Sequence, residues 1–277
     1  MKIKYSRLRK LHWSDQKKIL KNKFNINISE FISQPYSFFK TVLYIELSSI
    51  LVFFIQNTII TPNALSISYA ILGLLSGVFL ATNNENFILA GLIIIFLKGI
   101  VDWSDGLLAR ISKKTSFLGS ILDEWGGLIG AYSFIFGFGF YLYNIDNERV
   151  FIFLTIFILV LRSLDLKNFF YFTTTYKLYN NEIHKIEHKK LSNKKKEKKY
   201  NVEKFIYYIK VIFQNFLDDR ARSIDFICFL IFLDIFYIEI TFLKYIFFAL
   251  AFKYAVLFIG SFYLIYFKDY IKRLNIK

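Results

Sequence analysis

Six apolar stretches of roughly membrane-spanning length constrain the fold of this chain more than any other feature of its sequence. A helix needs about 20 mostly apolar residues to cross the hydrocarbon core of a bilayer. The stretches that approach this length are 62–82, 86–105, 117–144, 150–168, 223–241 and 245–268. With 55% hydrophobic and 20% aromatic residues among 277, the chain is also too apolar for an ordinary soluble domain. The sequence therefore predicts an all-α integral membrane protein with six transmembrane helices.

The segment before the first predicted span has a different character. Residues 35–60 are apolar but include Lys40 and Glu46, which suits a helix that lies in the membrane interface. A seventh span is the alternative interpretation. We accordingly expect a basic cytoplasmic arm with an interfacial helix at 1–60 and a six-helix membrane domain at 61–277.

The distribution of lysine and arginine predicts the orientation of the chain. Ten of these residues lie in 1–61, three in 106–116 and thirteen in 169–222, whereas the turn at 144–149 has one. Since positive charge concentrates on the cytoplasmic side, both termini are expected in the cytoplasm, with the protein in the cytoplasmic (inner) membrane. The net charge of +15 is explained by this bias, so no nucleic-acid partner is expected. The basic run at 189–199 suits anchoring on anionic headgroups, with a specific partner site as the alternative.

Cysteine usage excludes two kinds of site. Cys228 is the only cysteine and lies in an apolar stretch. Neither a disulfide framework nor a thiolate metal cage can therefore form within the chain.

Acidic residues at the end of the second predicted span form the strongest candidate site. The sequence from Asp102 to Arg110 is D-W-S-D-G-L-L-A-R, and on a helix Asp102, Asp105, Gly106 and Ala109 share one stripe. Carboxylates at the membrane edge normally mark an ion, a partner or a substrate path. Two of them one turn apart can hold a divalent cation, and the planar guanidinium of Arg110 suits a phosphate. Taken singly, the glycine also suits helix packing and the aspartates suit contact with headgroups.

The next predicted helix has a face of small residues with one acid. This face consists of Gly119, Asp123, Gly126, Gly127 and Gly130. Lys98 lies four residues before Asp102 on the same helical face. Its ammonium group is expected either to pair with that acid or to extend toward the cytoplasm.

Together these residues resemble the signature of the CDP-alcohol phosphotransferase family. Its members are integral membrane enzymes with six spanning helices around a cytoplasm-facing polar cavity, preceded by an amphipathic arm. The T-P-N-A-L-S segment from Thr61 to Ser66 resembles the entry to the family's first span. The resemblance implies transfer of a substituted phosphoryl group, phosphatidyl-type, from a CDP-linked donor (CDP-diacylglycerol or CDP-alcohol) to an acceptor alcohol. CMP is released, in the context of phospholipid biosynthesis.

The resemblance also implies roles for individual residues. It assigns a magnesium (Mg²⁺) or manganese (Mn²⁺) site to Asp102, Asp105 and Asp123. It assigns the nucleotide and diphosphate site to Gly106, Ala109, Arg110 and Gly119. Bound metal would neutralise the diphosphate and polarise the attacked phosphorus. Membrane lipids and a second copy of the chain, forming a homodimer, are the other expected partners.

One position departs from the family signature. The family has a fourth aspartate four residues after the third, and this chain has Gly127 there. The nearest acid is Glu124, about 100° around the helix from Asp123, which is expected either to act as the catalytic base or to pack outward.

Three functional hypotheses follow from this departure. The first is an enzyme whose base is Glu124, a metal-bound water or the acceptor's own phosphate. The second is a catalytically impaired member that binds a CDP-alcohol or a partner without turnover. An ion-conducting transporter is the third, although such a protein would have no need of Arg110.

Overall fold

Eight helices make up nearly all of the regular structure in the computed structural model, which describes residues 3–21, 31–32, 35–164, 186–188, 221–236, 242–266 and 274–276. The helices are α1 (Tyr5–Ile19), α2 (Pro35–Ile55), α3 (Pro62–Leu80), α4 (Glu85–Ile111), α5 (Phe117–Asp146), α6 (Val150–Ser163), α7 (Ala221–Phe236) and α8 (Leu243–Tyr266). Two three-residue strands, β1 (Ile186–His188) and β2 (Leu274–Ile276), pair antiparallel. The predicted all-α fold class is confirmed.

Five of these helices are long and apolar enough to cross a membrane, namely α2, α3, α4, α5 and the Leu243–Tyr263 part of α8. Large apolar side chains remain exposed along α3, including Ile67, Ile71 and Leu74, as expected of a helix that faces lipid. The protein is therefore a multi-pass membrane protein. α6 is apolar but has only 14 residues. The predicted spans at 150–168 and 223–241 continue into residues 165–168 and 237–241, which lie outside the described residues.

Helix α4 extends further than the sequence pattern predicts. The predicted span ends at residue 105, but the helix continues to Ile111. Leu107 and Leu108 are buried and extend the apolar packing of the helix past the acidic residues, which explains the extra turn. The helix ends at Ile111, and the chain then turns through Lys113, whose backbone has a φ of 54° in the left-handed region. The segment from Asp102 to Arg110 therefore lies on one helix.

The first of two compact units comprises Met1–Leu80 and Asn86–Phe134. Its core includes a cluster of buried apolar side chains from four helices: Leu8, Val52, Leu65, Leu107 and Leu108. Burying one side chain of this kind stabilises the fold by roughly 1.5–3 kcal/mol. The cluster ties α1 and α2 to the helices that carry the acidic motif.

Helix α1 packs antiparallel along α2 over most of its length. At one end, the Ile3 amide donates to Gln56 Oε1 at 2.9 Å, and at the other the ring of Trp13 lies 6.5 Å from that of Phe38. Between these contacts, the carboxylate of Glu46 accepts hydrogen bonds from Tyr5 and Arg9. Arg9 of α1 thus neutralises Glu46, the acidic residue that makes α2 unusual as a membrane span.

This packing bears on where α2 lies. Helix α1 exposes several cationic side chains, among them Arg7, Lys10 and Lys17, and these are unfavourable in hydrocarbon. Because α1 accompanies α2 along its length, the pair favours a position at the aqueous interface, although the length of α2 alone would allow a span. We therefore retain the interfacial placement of α2, and with it the arm at 1–60, as a prediction.

Helices α3 and α5 approach each other through glycines. A Cβ atom on Gly73 would lie only 2.8 Å from the Cα atom of Gly130. Nearby, Ser133 Oγ donates to the carbonyl of Leu74 at 2.9 Å. Small residues allow two membrane helices this close an approach. The glycines of α5 thus have a packing role at this level.

The second compact unit comprises Ala81–Glu85 and Ile135–Lys277. Its described core has edge-on aromatic packing, with the rings of Phe138 and Phe247 5.2 Å apart and nearly perpendicular. Gly139 lies directly beside this packing, since a Cβ atom there would be 2.9 Å from Phe247 Cζ and would collide with Thr155. α6 packs against α8 in the same unit.

Two polar side chains in the second unit have internal partners. Asp234 accepts a hydrogen bond from Tyr141 Oη at 2.6 Å, and Arg162 Nη1 donates to Tyr254 Oη at 3.0 Å. Buried polar groups generally require such bonds. Structural pairing therefore accounts for Asp234, for which the sequence pattern provides no explanation.

Candidate active site

Three helices of the first unit bring the predicted acidic residues together. The carboxyl groups of Asp102 on α4 and Asp123 on α5 lie within hydrogen-bonding distance of each other. Asp105 is 7% exposed, interacts electrostatically with Asp123, and accepts a hydrogen bond from Ser66 Oγ of α3 at 2.5 Å. Like charges this close are unfavourable unless a proton or cation neutralises them. The arrangement is thus one in which a cation would be stabilising.

The donor chemistry of this acidic group fits the predicted metal. Carboxylates supply only oxygen ligands, which Mg²⁺ and Mn²⁺ prefer. Asp102 and Asp123 already converge from two helices, whereas the Asp105 carboxylate is engaged by Ser66. In the part of the chain that the structure describes, no group of three or more His, Cys, Asp or Glu side chains is arranged to hold a metal ion. The three acids are therefore neighbours but not a preformed ligand set.

Arg110 folds back along α4 over Gly106. A Cβ atom at Gly106 would lie 3.2 Å from Arg110 Nη1 and 3.8 Å from Nη2, so the absent side chain leaves room for the guanidinium. On its other side, Arg110 Nε forms an ion pair of 2.7 Å with Asp15 Oδ2 of α1. The sequence pattern missed Asp15, since no spacing rule links positions 95 residues apart in the chain.

The remaining predicted binding residues lie near the ends of α4 and α5. Gly119 donates its amide to Ser116 Oγ at 3.0 Å, and a Cβ atom there would lie 3.3 Å from Asn63 Oδ1. The glycine thus sits beside the start of α3, close to the capped beginning of α5. Ala109 is half-buried on the last turn of α4, one turn beyond Asp105.

The sequence of residues 59–194, which includes every residue of this site except Asp15, matches the CDP-alcohol phosphatidyltransferase profile. The matched residues make up just under half of the chain, and over this segment the chain is similar to the family. No curated protein matches the chain at a significant level. The family comprises membrane transferases that move phosphatidyl-type groups from CDP-alcohols to acceptor alcohols and generally depend on divalent metal. The family is associated with phospholipid biosynthesis.

At Gly127, where the sequence predicts a departure from the family signature, a tyrosine fills the neighbouring space. A Cβ atom at Gly127 would lie 3.4 Å from Tyr69 Oη, and one at Gly126 would lie 2.6 Å from Tyr69 Cδ1. Tyr69 is 8% exposed and lies within electrostatic range of Asp102 and Asp123. A phenol hydroxyl therefore lies beside Gly127. Tyr69 follows the T-P-N-A-L-S segment by three residues, but nothing in its spacing indicated this placement.

Lys98 packs between α3 and α5 instead of extending away from them. Its Nζ atom is 4.7 Å from the centroid of the Tyr69 ring and fits between α3 and α5, where a Cβ atom on Gly130 would collide with it. The ammonium group also interacts electrostatically with Asp102. Of the two alternatives for Lys98, the structure favours interaction with the acid.

Glu124 is not among the groups that interact with Asp102 and Asp105. It is exposed, one residue beyond Asp123 on α5, and it too lies within electrostatic range of Tyr69. The proposed catalytic role of Glu124 stays a prediction, and no observation on the single chain supports the expected homodimer.

Proposed function

We propose that the protein transfers a phosphatidyl-type group from CDP-diacylglycerol or another CDP-alcohol to an acceptor alcohol. The convergence of the Asp102 and Asp123 carboxyl groups beside Asp105, within the matched segment, is the observation that carries this proposal. These acids would be stabilised by a bound cation, and the Arg110 guanidinium lies next to them. Such a site suits a diphosphate donor, which is itself bound through metal.

In the proposed reaction, the acceptor hydroxyl oxygen forms a bond to the phosphorus that carries the donor's alcohol. The bond from this phosphorus to the bridging diphosphate oxygen breaks, and CMP leaves with that bonding pair. The proton of the acceptor hydroxyl passes to a base, for which Glu124, water and a phosphate on the acceptor are the candidates. Losing a general base typically lowers turnover by about 10²–10⁴-fold rather than abolishing it.

The chain's own residues have distinct proposed roles. Asp102, Asp105 and Asp123 would hold Mg²⁺ or Mn²⁺, which supplies neutralisation of the diphosphate and polarisation of the phosphorus. Ser66 fixes the Asp105 carboxylate through its hydroxyl. Arg110 offers a planar set of donors to a phosphate oxygen.

The small residues complete the proposed donor site. Gly106, Ala109 and Gly119 leave space for the nucleotide along the ends of α4 and α5. With both termini and residues 169–222 in the cytoplasm, as the positive-inside bias predicts, this end of the helices would face the soluble part of the donor.

A catalytically impaired protein that binds a CDP-alcohol is the second candidate. The observation that favours it is the Tyr69 hydroxyl beside Gly127, where the family has a carboxylate. A phenol is a much weaker proton acceptor than a carboxylate near neutral pH. Such a protein would retain metal-dependent binding without release of CMP.

The binding proposal is tested with purified wild type, Asp102→Asn and Asp123→Asn in detergent. Thermal unfolding is followed with and without Mg²⁺ and CDP-diacylglycerol or soluble CDP-alcohols. We expect the wild type to gain stability from the combination and both variants to lose that gain, because each retains an incomplete oxygen ligand set. Glu148→Gln, at an exposed turn, is the charge-matched control. Variants that respond like the wild type would refute the proposed site.

Release of labelled CMP separates the two candidate functions. If Glu124 is the base, Glu124→Gln should lower turnover by roughly 10²-fold or more while donor binding persists. If catalysis is impaired, the wild type should bind without releasing CMP, and Gly127→Asp should restore some release, since its carboxylate would lie one turn beyond Asp123. Normal turnover in Glu124→Gln would instead point to water or substrate as the base.

A further inference from the structure

Helix α1 reaches the proposed donor site through one ion pair. Asp15 Oδ2 lies 2.7 Å from Arg110 Nε, with Asp15 half-buried and Arg110 more exposed. We propose that Asp15 is a positioning residue that orients the Arg110 guanidinium toward the diphosphate of the CDP-linked donor. This inference rests on the proposed function, and it adds a residue from outside the segment that matches the family.

The geometry of the contact indicates that Asp15 orients the Arg110 guanidinium and does not block its phosphate-binding side. A guanidinium carries one N–H on Nε and four on its two terminal nitrogens. Asp15 pairs with the Nε side, while Nη1 and Nη2 lie over Gly106, on the stripe that carries Asp105. An anion that competed with the donor would be expected on the terminal nitrogens, which form the bidentate fork for phosphate. Asp15 instead contacts the Nε side of the guanidinium and leaves the two terminal nitrogens to the donor.

Asp15 can act as a fixed point because α1 is itself anchored on both sides. His12, one turn before Asp15, is 5% exposed, and its Nδ1 lies 3.2 Å from Ser48 Oγ of α2. The His12 ring also packs at 5.5 Å from that of Trp103, on the same helix as Arg110. The Asp15–Arg110 ion pair and these two His12 contacts together connect α2 through α1 to α4.

The expected effect is on donor binding rather than on the chemical step. A free arginine side chain loses rotamer freedom when it binds, and prior fixation reduces that loss. Partly exposed ion pairs of this kind are modest in energy, so removing the charge of Asp15 should weaken donor binding by about two- to fivefold. The turnover number at saturating donor should change little.

The experiment compares Asp15→Asn with Glu148→Gln, which makes the same charge change at an exposed turn distant in sequence. Affinity for CDP is measured by calorimetry with Mg²⁺, and KM and kcat for CDP-diacylglycerol are measured by CMP release. We expect weaker CDP binding and a raised KM in Asp15→Asn only, with partial recovery in Asp15→Glu. Both mutations are repeated in Arg110→Ala, where Asp15→Asn should have no further effect.

The outcomes distinguish failure of the inference from failure of the proposed function. CDP affinity that is unchanged or increased in Asp15→Asn, with a wild type that binds CDP, overturns the inference and leaves the function standing. An equal loss in the presence and absence of Arg110 also overturns it, because Asp15 would then act through general stability. A wild type that binds no CDP compound overturns the proposed function and the inference together.

Discussion

Burial of His12 should make the docking of α1 sensitive to pH. The pKa of His12 is lowered from 6.5 to about 4, mainly because burial disfavours the charged ring and further because Arg110 is nearby, with Asp15 acting in the opposite direction. The ring is therefore neutral when α1 is docked near pH 7. An undocked α1 would expose His12 to water, where its pKa returns toward 6.5.

The direction of the effect follows from proton binding. Between pH 6.5 and about 4, the undocked form binds a proton at His12 that the docked form does not. Docking should therefore weaken as the pH falls through this window and should not depend on His12 above it. The weakening at pH 4.5 is about 2–3 kcal/mol, which raises the opening constant by roughly 30- to 150-fold.

Hydrogen exchange of the α1 peptide, followed by mass spectrometry, measures this opening. His12→Gln keeps a group that can bond Ser48 but does not titrate, and His184→Gln is the control. Comparing variants at the same pH cancels the intrinsic dependence of exchange and the titration of other groups. We expect faster exchange of wild type at pH 4.5 relative to pH 7, beyond any change in His12→Gln. Parallel pH profiles for wild type and His12→Gln would refute the reasoning.

Three further predictions concern packing. Gly139→Ala should destabilise the protein by about 1–3 kcal/mol through overpacking, whereas Gly260→Ala, with no atom within 4 Å of its new Cβ, should be neutral or slightly stabilising; equal thermal unfolding midpoints would contradict this. Glu46→Gln should speed hydrogen exchange in α1 by about two- to fivefold, because the charge that Tyr5 and Arg9 contact is lost, and unchanged exchange would exclude an anchoring role. Gly73→Ala should lower the unfolding midpoint, because its Cβ atom would lie 2.8 Å from the Cα atom of Gly130, and a midpoint equal to that of wild type would show that α3 and α5 can separate at no cost.

Local rules predicted much of this fold because they need only neighbouring residues. Apolar length predicted α3 and α5 to within a few residues, and helical spacing placed Asp102 and Asp105 on one face. The last turns of α4, up to Ile111, lie beyond the span predicted to end at residue 105, because distant parts of the chain bury Leu107 and Leu108 there, which periodicity cannot reveal.

The contacts that the sequence did not predict all join residues far apart in the chain. Asp15 meets Arg110, and Tyr69 lies beside Gly127, through the packing of separate helices. Helical periodicity places a residue on a face but does not identify what lies opposite. The chemistry of the acidic group was recognisable from one segment, whereas the side chains that surround it required the fold.

Lys98 and the glycines around it restrict the order in which substitutions at these positions can accumulate during evolution. The lysine chain lies where α3 and α5 meet, and a Cβ atom at either Gly73 or Gly130 would press on its terminal atoms or on the opposing backbone. A larger residue at Gly130 must displace the Lys98 ammonium group from its place beside Tyr69 unless Lys98 has been shortened, while shortening Lys98 first leaves a void that is unfavourable until it is filled. The three positions should therefore evolve as a linked set, in which each single replacement is harmful and a matched combination is tolerated.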